Sequence, residues 1–191
     1  MFIRSIFGQT NRWIAIAIVC VALPAIAATA LKTDATKSSV TITFKQLNVP
    51  VDAKFRKFNA QISYDAAKPE TSKATVDIDI AGFDLGDAEY NKEVMKKEWF
   101  NAAQFPKASF VSSQIKAGAA GKLDVAGKLT IKGKTSDVSF PLTVKKEGTN
   151  QIFEGALPIK RLSYNIGEGE WKDTSMVADE VTIKFRVVTA Q

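Results

Sequence analysis

The stretch that organises the rest of the chain is EYNKEVMKKEWFNAAQFPKASF, residues 89–110. Tyr90 and Val94 lie four residues apart, as do Met95 and Trp99, which is the spacing of one face of an α-helix. Pro106 prevents that helix from continuing. The stretch therefore predicts a helix of two to three turns with an aromatic tail. Such a helix either plugs an open sheet or covers a cavity.

On both sides of this stretch, apolar residues alternate with polar ones at a period of two. The clearest case is KATVDIDI, residues 73–80, in which the apolar side chains point one way and Lys, Thr and Asp point the other. This pattern is typical of an antiparallel strand with one dry face and one wet face. Similar segments separated by turns predict an all-β fold of about eight strands, which either close into a barrel or pack as a two-sheet sandwich. A barrel of this size is either filled by its own side chains or holds one small ligand.

The first 27 residues have the features of a cleaved secretory signal peptide. Arg4 and Arg12 supply the positive start, residues 13–26 form an uncharged apolar run, and Ala25-Ile26-Ala27 provides the small-x-small cleavage pattern. We therefore expect residues 28–191 to be one exported, periplasmic domain.

Two other interpretations of this N-terminal segment are weaker. A retained membrane anchor needs roughly 20 apolar residues, and this run is shorter and contains Pro24. A lipoprotein signal needs Gly or Ala before its cysteine, whereas Val19 precedes Cys20. Because Cys20 is the sole cysteine, the exported domain is expected to contain no disulfide.

Composition argues against several classes of function. The chain contains no histidine, which removes the commonest general base and the usual zinc ligand, and it shows no EF-hand spacing. We therefore expect no catalysis, cofactor or metal. The net charge is +6, but the lysines are spread along the strands instead of clustering with aromatic residues. This distribution predicts a solvated basic surface with weak attraction to an anionic membrane, and no nucleic-acid binding.

Arg161 follows Lys160 on an otherwise apolar strand, and Tyr164 stands three residues further on. Arg161 is either a surface or structural arginine paired with a carboxylate, or a group at a barrel mouth that binds the polar head of a ligand. Several phenylalanines lie at strand ends or around the helix, where they either belong to the core or line an apolar cavity. These are Phe55, Phe83, Phe100 and Phe105.

Five motifs, in order along the chain, together resemble the YceI-like proteins. They are Phe44-(x)4-Val49-Pro50-Val51 followed by Phe55-x-x-Phe58, then Glu98-Trp99-Phe100-Asn101-(x)3-Phe105-Pro106-(x)3-Phe110, then Gly127 to Thr135, then Lys160 to Gly167, and finally Asp179-Glu180-Val181.

The resemblance implies an eight-stranded, antiparallel, lipocalin-like barrel with one short internal helix between early strands. It also implies an exported bacterial protein whose apolar interior holds a polyisoprenoid. The helix from Asp87 to Glu98 and the aromatics after it would cover or line the cavity as a lid, with Trp99 and Phe100 at its hinge. Relatives often carry histidines where this chain has Gln46 and Val94, so any recognition of the head group by those histidines is not carried over.

The sequence thus predicts a periplasmic carrier or storage protein for a polyisoprenoid or isoprenoid-quinone-like lipid, without catalysis. One alternative is a solid-cored, stress-related module that binds a protein partner through its surface, and a third is an isomerase with a carboxylate inside the barrel. A cavity distinguishes the first two. The expected ligand-binding residues are Phe44, Val49, Phe55, Phe58, Ile78, Ile80, Phe83, Met95, Trp99, Phe100, Phe105, Phe110, Leu129, Ile131, Arg161 and Tyr164.

Overall fold

The alternating segments form the strands of one continuous antiparallel sheet in the computed structural model, which describes residues 30–190. The predicted signal peptide, residues 1–27, lies outside this range. The strands are β1 (Ala30–Thr33), β2 (Ser39–Gln46), β3 (Val49–Phe55), β4 (Phe58–Ser63), β5 (Lys73–Asp79), β6 (Phe83–Asp84), β7 (Lys107–Ala117), β8 (Leu123–Ile131), β9 (Lys134–Glu147), β10 (Asn150–Lys160) and β11 (Val177–Ala190).

The sheet closes into an eight-stranded barrel in the order β1-β4-β5-β7-β8-β9-β10-β11. The closing pairs join β1 to β11, with Lys32 opposite Ala190 and Thr33 opposite Thr189. The predicted all-β antiparallel barrel is therefore confirmed, and the sandwich alternative is not realised.

The β2–β3 hairpin rises above the short closing strand. Strand β2 continues along β11 after β1 ends, and β3 pairs with β2 and then with β6. The hairpin thus extends the wall at one end, which we call the upper end of the barrel. The short β4–β5 connection, residues 64–72, lies at the opposite, lower end.

The only α-helix among residues 30–190, α1 (Ala88–Glu93), is shorter than predicted. The side chain of Asp87 caps it by accepting hydrogen bonds from the amides of Glu89 and Tyr90, at 2.8 and 3.1 Å. The predicted end at Glu98 is wrong because the chain coils into tight turns after Glu93. This coil directs the following aromatic residues toward the barrel instead of around a longer helix.

Among the described residues, two clusters of buried apolar side chains lie against the strands. The larger follows the inward faces of the barrel strands. The smaller joins Ala53 of β3, Phe83 of β6 and Val94 at the end of α1. Among residues 30–190, no helix has the length and apolar character needed to cross a membrane.

Candidate functional site

A cavity of about 290 Å³ runs through the barrel between its two ends, with a wall that is almost entirely apolar. Ligand pockets commonly measure roughly 300–1,000 Å³, whereas a packed protein interior has few voids larger than one water molecule. The barrel is therefore not a solid core. The predicted residues that line this cavity are Phe44, Phe55, Ile78, Ile80, Phe83, Trp99, Phe100, Phe110, Leu129, Ile131 and Arg161.

Most of the remaining wall comes from inward positions of strands that alternation had marked as dry faces. Strand periodicity identifies such residues as inward-facing but does not separate a cavity wall from a packed core. Examples that the site prediction missed are Val40, Val125, Leu142, Phe153, Ile183 and Phe185.

The two ends of the cavity differ in their polar groups. At the upper end, Gln46, Leu85, Tyr90 and Glu93 border the cavity, and we call these four residues the mouth. Tyr90 is 59% exposed, so the mouth reaches solvent.

At the lower end the cavity meets Ser63, Tyr64 and Ser72. The ring of Tyr64 packs edge-on against Phe153, with centroids 5.4 Å apart. Burial, with a smaller effect of the nearby Asp65 carboxylate, raises the pKa of the Tyr64 hydroxyl. Tyr64 is therefore a neutral hydroxyl at physiological pH.

Aromatic rings cover the upper end between α1 and the barrel. Phe83 packs against Phe55 and Phe100 with ring centroids 5.2 and 5.3 Å apart. Trp99 packs against Trp171 at 5.2 Å. Such contacts favour a fixed mutual geometry beyond simple burial. The residues after α1 thus form a cap, residues 94–101, over the cavity.

This cap is tied to the loop that follows β10. The carbonyl of Glu98 accepts hydrogen bonds from the amides of Gly167 and Glu168, both at 2.8 Å. The buried ammonium of Lys132 donates to the carbonyls of Lys97 and Asn165, each at 2.7 Å.

The third acceptor of Lys132 is a carboxylate oxygen of Glu168, at 2.8 Å. That hydrogen bond lowers the pKa of Glu168 below its ordinary value. Lys132 therefore has an acceptor for each of its three donors, and it joins the β8–β9 turn to both the cap and the loop.

Arg161 is 3% exposed, and its guanidinium donates hydrogen bonds to the same loop after β10. All five of its N–H groups have main-chain carbonyl acceptors instead of a carboxylate. These acceptors belong to Ala178 (3.1 Å), Ile166 (2.8 Å), Gly167 (3.4 Å), Trp171 (2.7 Å) and Val177 (2.7 Å). The prediction that Arg161 binds a ligand head group is therefore not supported by the structure, because no donor is left for one.

The indole of Trp99 lies next to this guanidinium, which sits 5.8 Å from the ring centroid. The Nε1–H of Trp99 is buried and has no acceptor among residues 30–190. Leaving a buried N–H unpaired costs about 1–3 kcal/mol. The contacts of the Trp99 ring with Trp171 and with the Arg161 guanidinium must therefore offset this cost.

Five predicted ligand-binding residues do not line the cavity. Val49 lies opposite Gln46 at the hairpin tip and is 61% exposed, so it stands above the wall. Phe58 is half-buried at the start of β4, and Met95 packs against both clusters. The Phe105 ring covers Gly133 in the β8–β9 turn, and Tyr164 is buried in the larger cluster.

A buried carboxylate positions the start of α1. One oxygen of Asp84 accepts hydrogen bonds from the amide of Gly86, at 2.9 Å, and from the Asn91 side chain, at 3.2 Å. The other accepts from Arg56, and Asn91 in turn accepts from the amide of Leu85 at 2.7 Å. These contacts hold the end of β3, β6 and the start of α1 together.

Among the described residues, no group of three or more Cys, Asp or Glu could hold a metal ion.

The sequence model of the YceI-like domain matches residues 31–189. This chain belongs to the YceI-like family. A UPF0312 protein of Azotobacter vinelandii is 31% identical over 139 residues, 70% of each chain. A UPF0312 protein of Pseudomonas fluorescens is 39% identical over 94 residues, and that match spans 49% of each chain, about half the length of this curated relative.

Two solved structures have the same fold as this chain. Burkholderia cenocepacia BcnA superposes with a TM-score of 0.80 at 52% identity, covering 82% of this chain and 99% of BcnA. A polyisoprenoid binding domain from Saccharophagus degradans superposes with a TM-score of 0.64 at 19% identity, covering 86% of this chain and 98% of that domain.

We predict that Arg161→Lys destabilises the fold by about 3 kcal/mol, because an ammonium has too few donors for these carbonyls and each unsatisfied buried acceptor costs about 1–3 kcal/mol. Urea unfolding measures the loss. Arg186→Lys, at a more exposed position, is the control and should change the free energy of unfolding little. Equal effects of the two substitutions would contradict the structural role of Arg161.

We predict that Asp84→Asn flattens the acid dependence of stability. The pKa of Asp84 is lowered, chiefly by the hydrogen bond from Arg56 and then by Gly86 and Asn91. A carboxylate with a lowered folded-state pKa stabilises the fold above its ordinary pKa of 3.8 and loses that effect as the pH falls through the folded value.

Thermal unfolding at a series of pH values tests this prediction. Wild type should lose stability below about pH 4 more steeply than Asp84→Asn, which should already be less stable at pH 7. Asp137→Asn, which removes an exposed carboxylate, is the control and should follow the wild-type curve. Parallel curves for wild type and Asp84→Asn would contradict the prediction.

Proposed function

We propose that this protein binds one long-chain isoprenoid lipid inside its barrel and carries or stores that lipid in the periplasm, without catalysing a reaction. The observation that carries the proposal is the apolar cavity that runs from the mouth to the lower end. Burial of an apolar chain contributes about 0.8 kcal/mol per methylene, so tight binding of a long tail needs few polar contacts.

The same cavity argues against the alternative of a solid-cored module. A barrel packed to ordinary density would present only its surface to a partner. The fold shared with the polyisoprenoid binding domain of Saccharophagus degradans agrees with a lipid ligand at the level of fold. Periplasmic location rests on the signal-peptide features of residues 1–27.

Exposed apolar residues beside the mouth support contact with a membrane during lipid exchange. Leu47 and Val49 at the β2–β3 tip are 63% and 61% exposed, and Met176 is 44% exposed. The amide of Leu47 donates to the carbonyl of Met176 at 2.8 Å, so these residues are neighbours. Leu47 has a φ of 49°, a left-handed conformation that is unfavourable for a bulky residue. Leu47 and Asn48, with φ values of 49° and 64°, are the two turn residues of the β2–β3 hairpin, and a two-residue turn of this kind requires a positive φ at both positions. The exposed side chain of Leu47 next to the mouth is suited to contact with a lipid surface.

Lipid exchange also needs a movable part, and α1 suits that role. The cap is fixed by Lys132 and by the loop after β10, whereas α1 is exposed and is held mainly through Asn91. We therefore assign the lid to α1 and treat Trp99 and Phe100 as parts of the fixed cap.

The direct test is organic extraction of protein purified from its native compartment, followed by mass spectrometry. We expect a long-chain isoprenoid lipid in stoichiometric amount. Ala108→Phe places a ring in the cavity and should abolish lipid recovery, whereas Ala156→Phe, on the exposed face of β10, should retain it. Absence of lipid from wild type, or equal recovery from both variants, would contradict the proposal.

We predict that Asn91→Ala accelerates lipid release by about tenfold. The substitution removes the hydrogen bonds to Leu85 and Asp84, each worth about 0.5–1.5 kcal/mol, and 1.4 kcal/mol corresponds to a factor of ten. Transfer of a fluorescent polyisoprenoid to acceptor vesicles measures the rate. Lys92→Ala, on the exposed face of α1, is the control, and an unchanged rate for Asn91→Ala would remove α1 as the lid.

A further inference from the structure

The exposed hydrophobic side chains of the described chain are concentrated at one end of the barrel. Among residues 30–190, five large hydrophobic side chains are exposed, and four of them lie at the upper end. These four, which we call the hydrophobic rim, are Leu47, Val49, Tyr90 and Met176. The fifth, Val111, lies on the outer face of β7 in the side wall of the barrel. Exposed apolar surface is therefore gathered where the cavity opens.

The hydrophobic rim adjoins the mouth directly. Tyr90 belongs to both, and Gln46 of the mouth is paired with Val49 beside the β2–β3 turn. The amide of Leu47 donates to the carbonyl of Met176 at 2.8 Å, which joins the hairpin tip to the chain before β11. An apolar tail that leaves the cavity through the mouth therefore reaches these side chains first.

The residue at the hairpin tip is not the one that the turn favours. Leu47 and Asn48 both have a positive φ, and two-residue turns of this geometry prefer Asn, Asp and Gly. Asn48 follows that preference, whereas Leu47 places a branched apolar side chain, 63% exposed, at the end of the hairpin. Turn geometry alone does not account for this leucine, and an apolar partner at the tip does.

A lipid bilayer fits this surface better than a protein does. Four side chains are few beside the roughly 20–30 residues that each side of a stable protein interface contributes. The exposed cations Lys45 and Lys172 are close to the rim in the chain. The exposed anions Glu89 and Asp173 are equally close, so charge does not select the partner. Aliphatic side chains enter hydrocarbon readily, and tyrosine is enriched at the head-group level of membranes.

We propose that the hydrophobic rim inserts into a phospholipid bilayer and that lipid passes between cavity and bilayer during this contact, without release into water. This inference rests on the proposed lipid-binding function and specifies its partner and its route of delivery. Release into water would expose every methylene that the cavity had buried, at a cost that grows with tail length. A docked bilayer avoids that cost because the tail moves between two apolar surroundings. Tyr90 belongs to α1, so docking also brings the lid to the bilayer.

The first test measures how the transfer rate depends on the acceptor. The purified protein, loaded with a fluorescent polyisoprenoid, is mixed with increasing amounts of phosphatidylcholine vesicles at fixed salt. We expect the transfer rate to rise in proportion to vesicle concentration, because each transfer requires a collision. A rate that stays constant as vesicles are added indicates release into water and overturns the inference. If the protein takes up no polyisoprenoid, the proposed lipid-binding function fails instead.

The second test removes the apolar tip without disturbing the turn. Leu47→Asn combined with Val49→Thr is compatible with the hairpin, because Asn tolerates the left-handed conformation and Thr is β-branched like Val. Neither residue lines the cavity, so bound lipid should be retained. We expect the transfer rate to vesicles to fall at least about tenfold. Val111→Thr is the matched control at an exposed valine and should transfer at the wild-type rate. Equal rates for the two variants overturn the inference.

Salt separates insertion of the rim from attraction by surface lysines. We expect co-sedimentation with phosphatidylcholine vesicles to persist at high salt, where interactions between exposed charges are screened. Binding that requires anionic lipid and disappears at high salt would assign the contact to the lysines and overturn the inference.

Discussion

The upper end of the barrel depends on the guanidinium of Arg161 and the carbonyls around it. The chain between β10 and β11 contains little regular structure, so its carbonyl groups have no neighbouring strand to satisfy them. A single buried side chain with five donors supplies those hydrogen bonds. The loop can therefore lie close to the barrel, where Trp171 meets Trp99 and the amides of Gly167 and Glu168 hold Glu98.

The same arrangement explains why the cavity is apolar although cations lie near it. Arg161 and Lys132 are both buried at the upper end, but their charges are used to fix irregular chain. A buried cation that is fully hydrogen-bonded stabilises its surroundings and has no donor left for a ligand. The cavity interior is consequently suited to hydrocarbon, and polar recognition is confined to the mouth and the lower end.

Much of the fold could be predicted from periodicity, and the site only in part. The alternation in residues 73–80 placed Ile78 inside, where the structure has it. The prediction from helical spacing overestimated the length of α1, because the chain after Glu93 bends to contact residues that are distant in sequence. Phe105 shows the same limit, since its ring packs on Gly133 of another hairpin. Arg161 stood out in the sequence as a cation on an apolar strand, but the choice between ligand and main chain as its partner depended on a loop that sequence patterns do not describe.

The sequence by itself determined which side chains face inward, because a two-residue period fixes the face of every strand position. Family motifs added the barrel and the position of the helix. Only the tertiary structure decided whether the inward side chains meet across the barrel or leave a space, since that depends on the distances between strands far apart in the chain. It also decided that Arg161 and Lys132 belong to the scaffold, because the carbonyls they bind converge only after the barrel has closed.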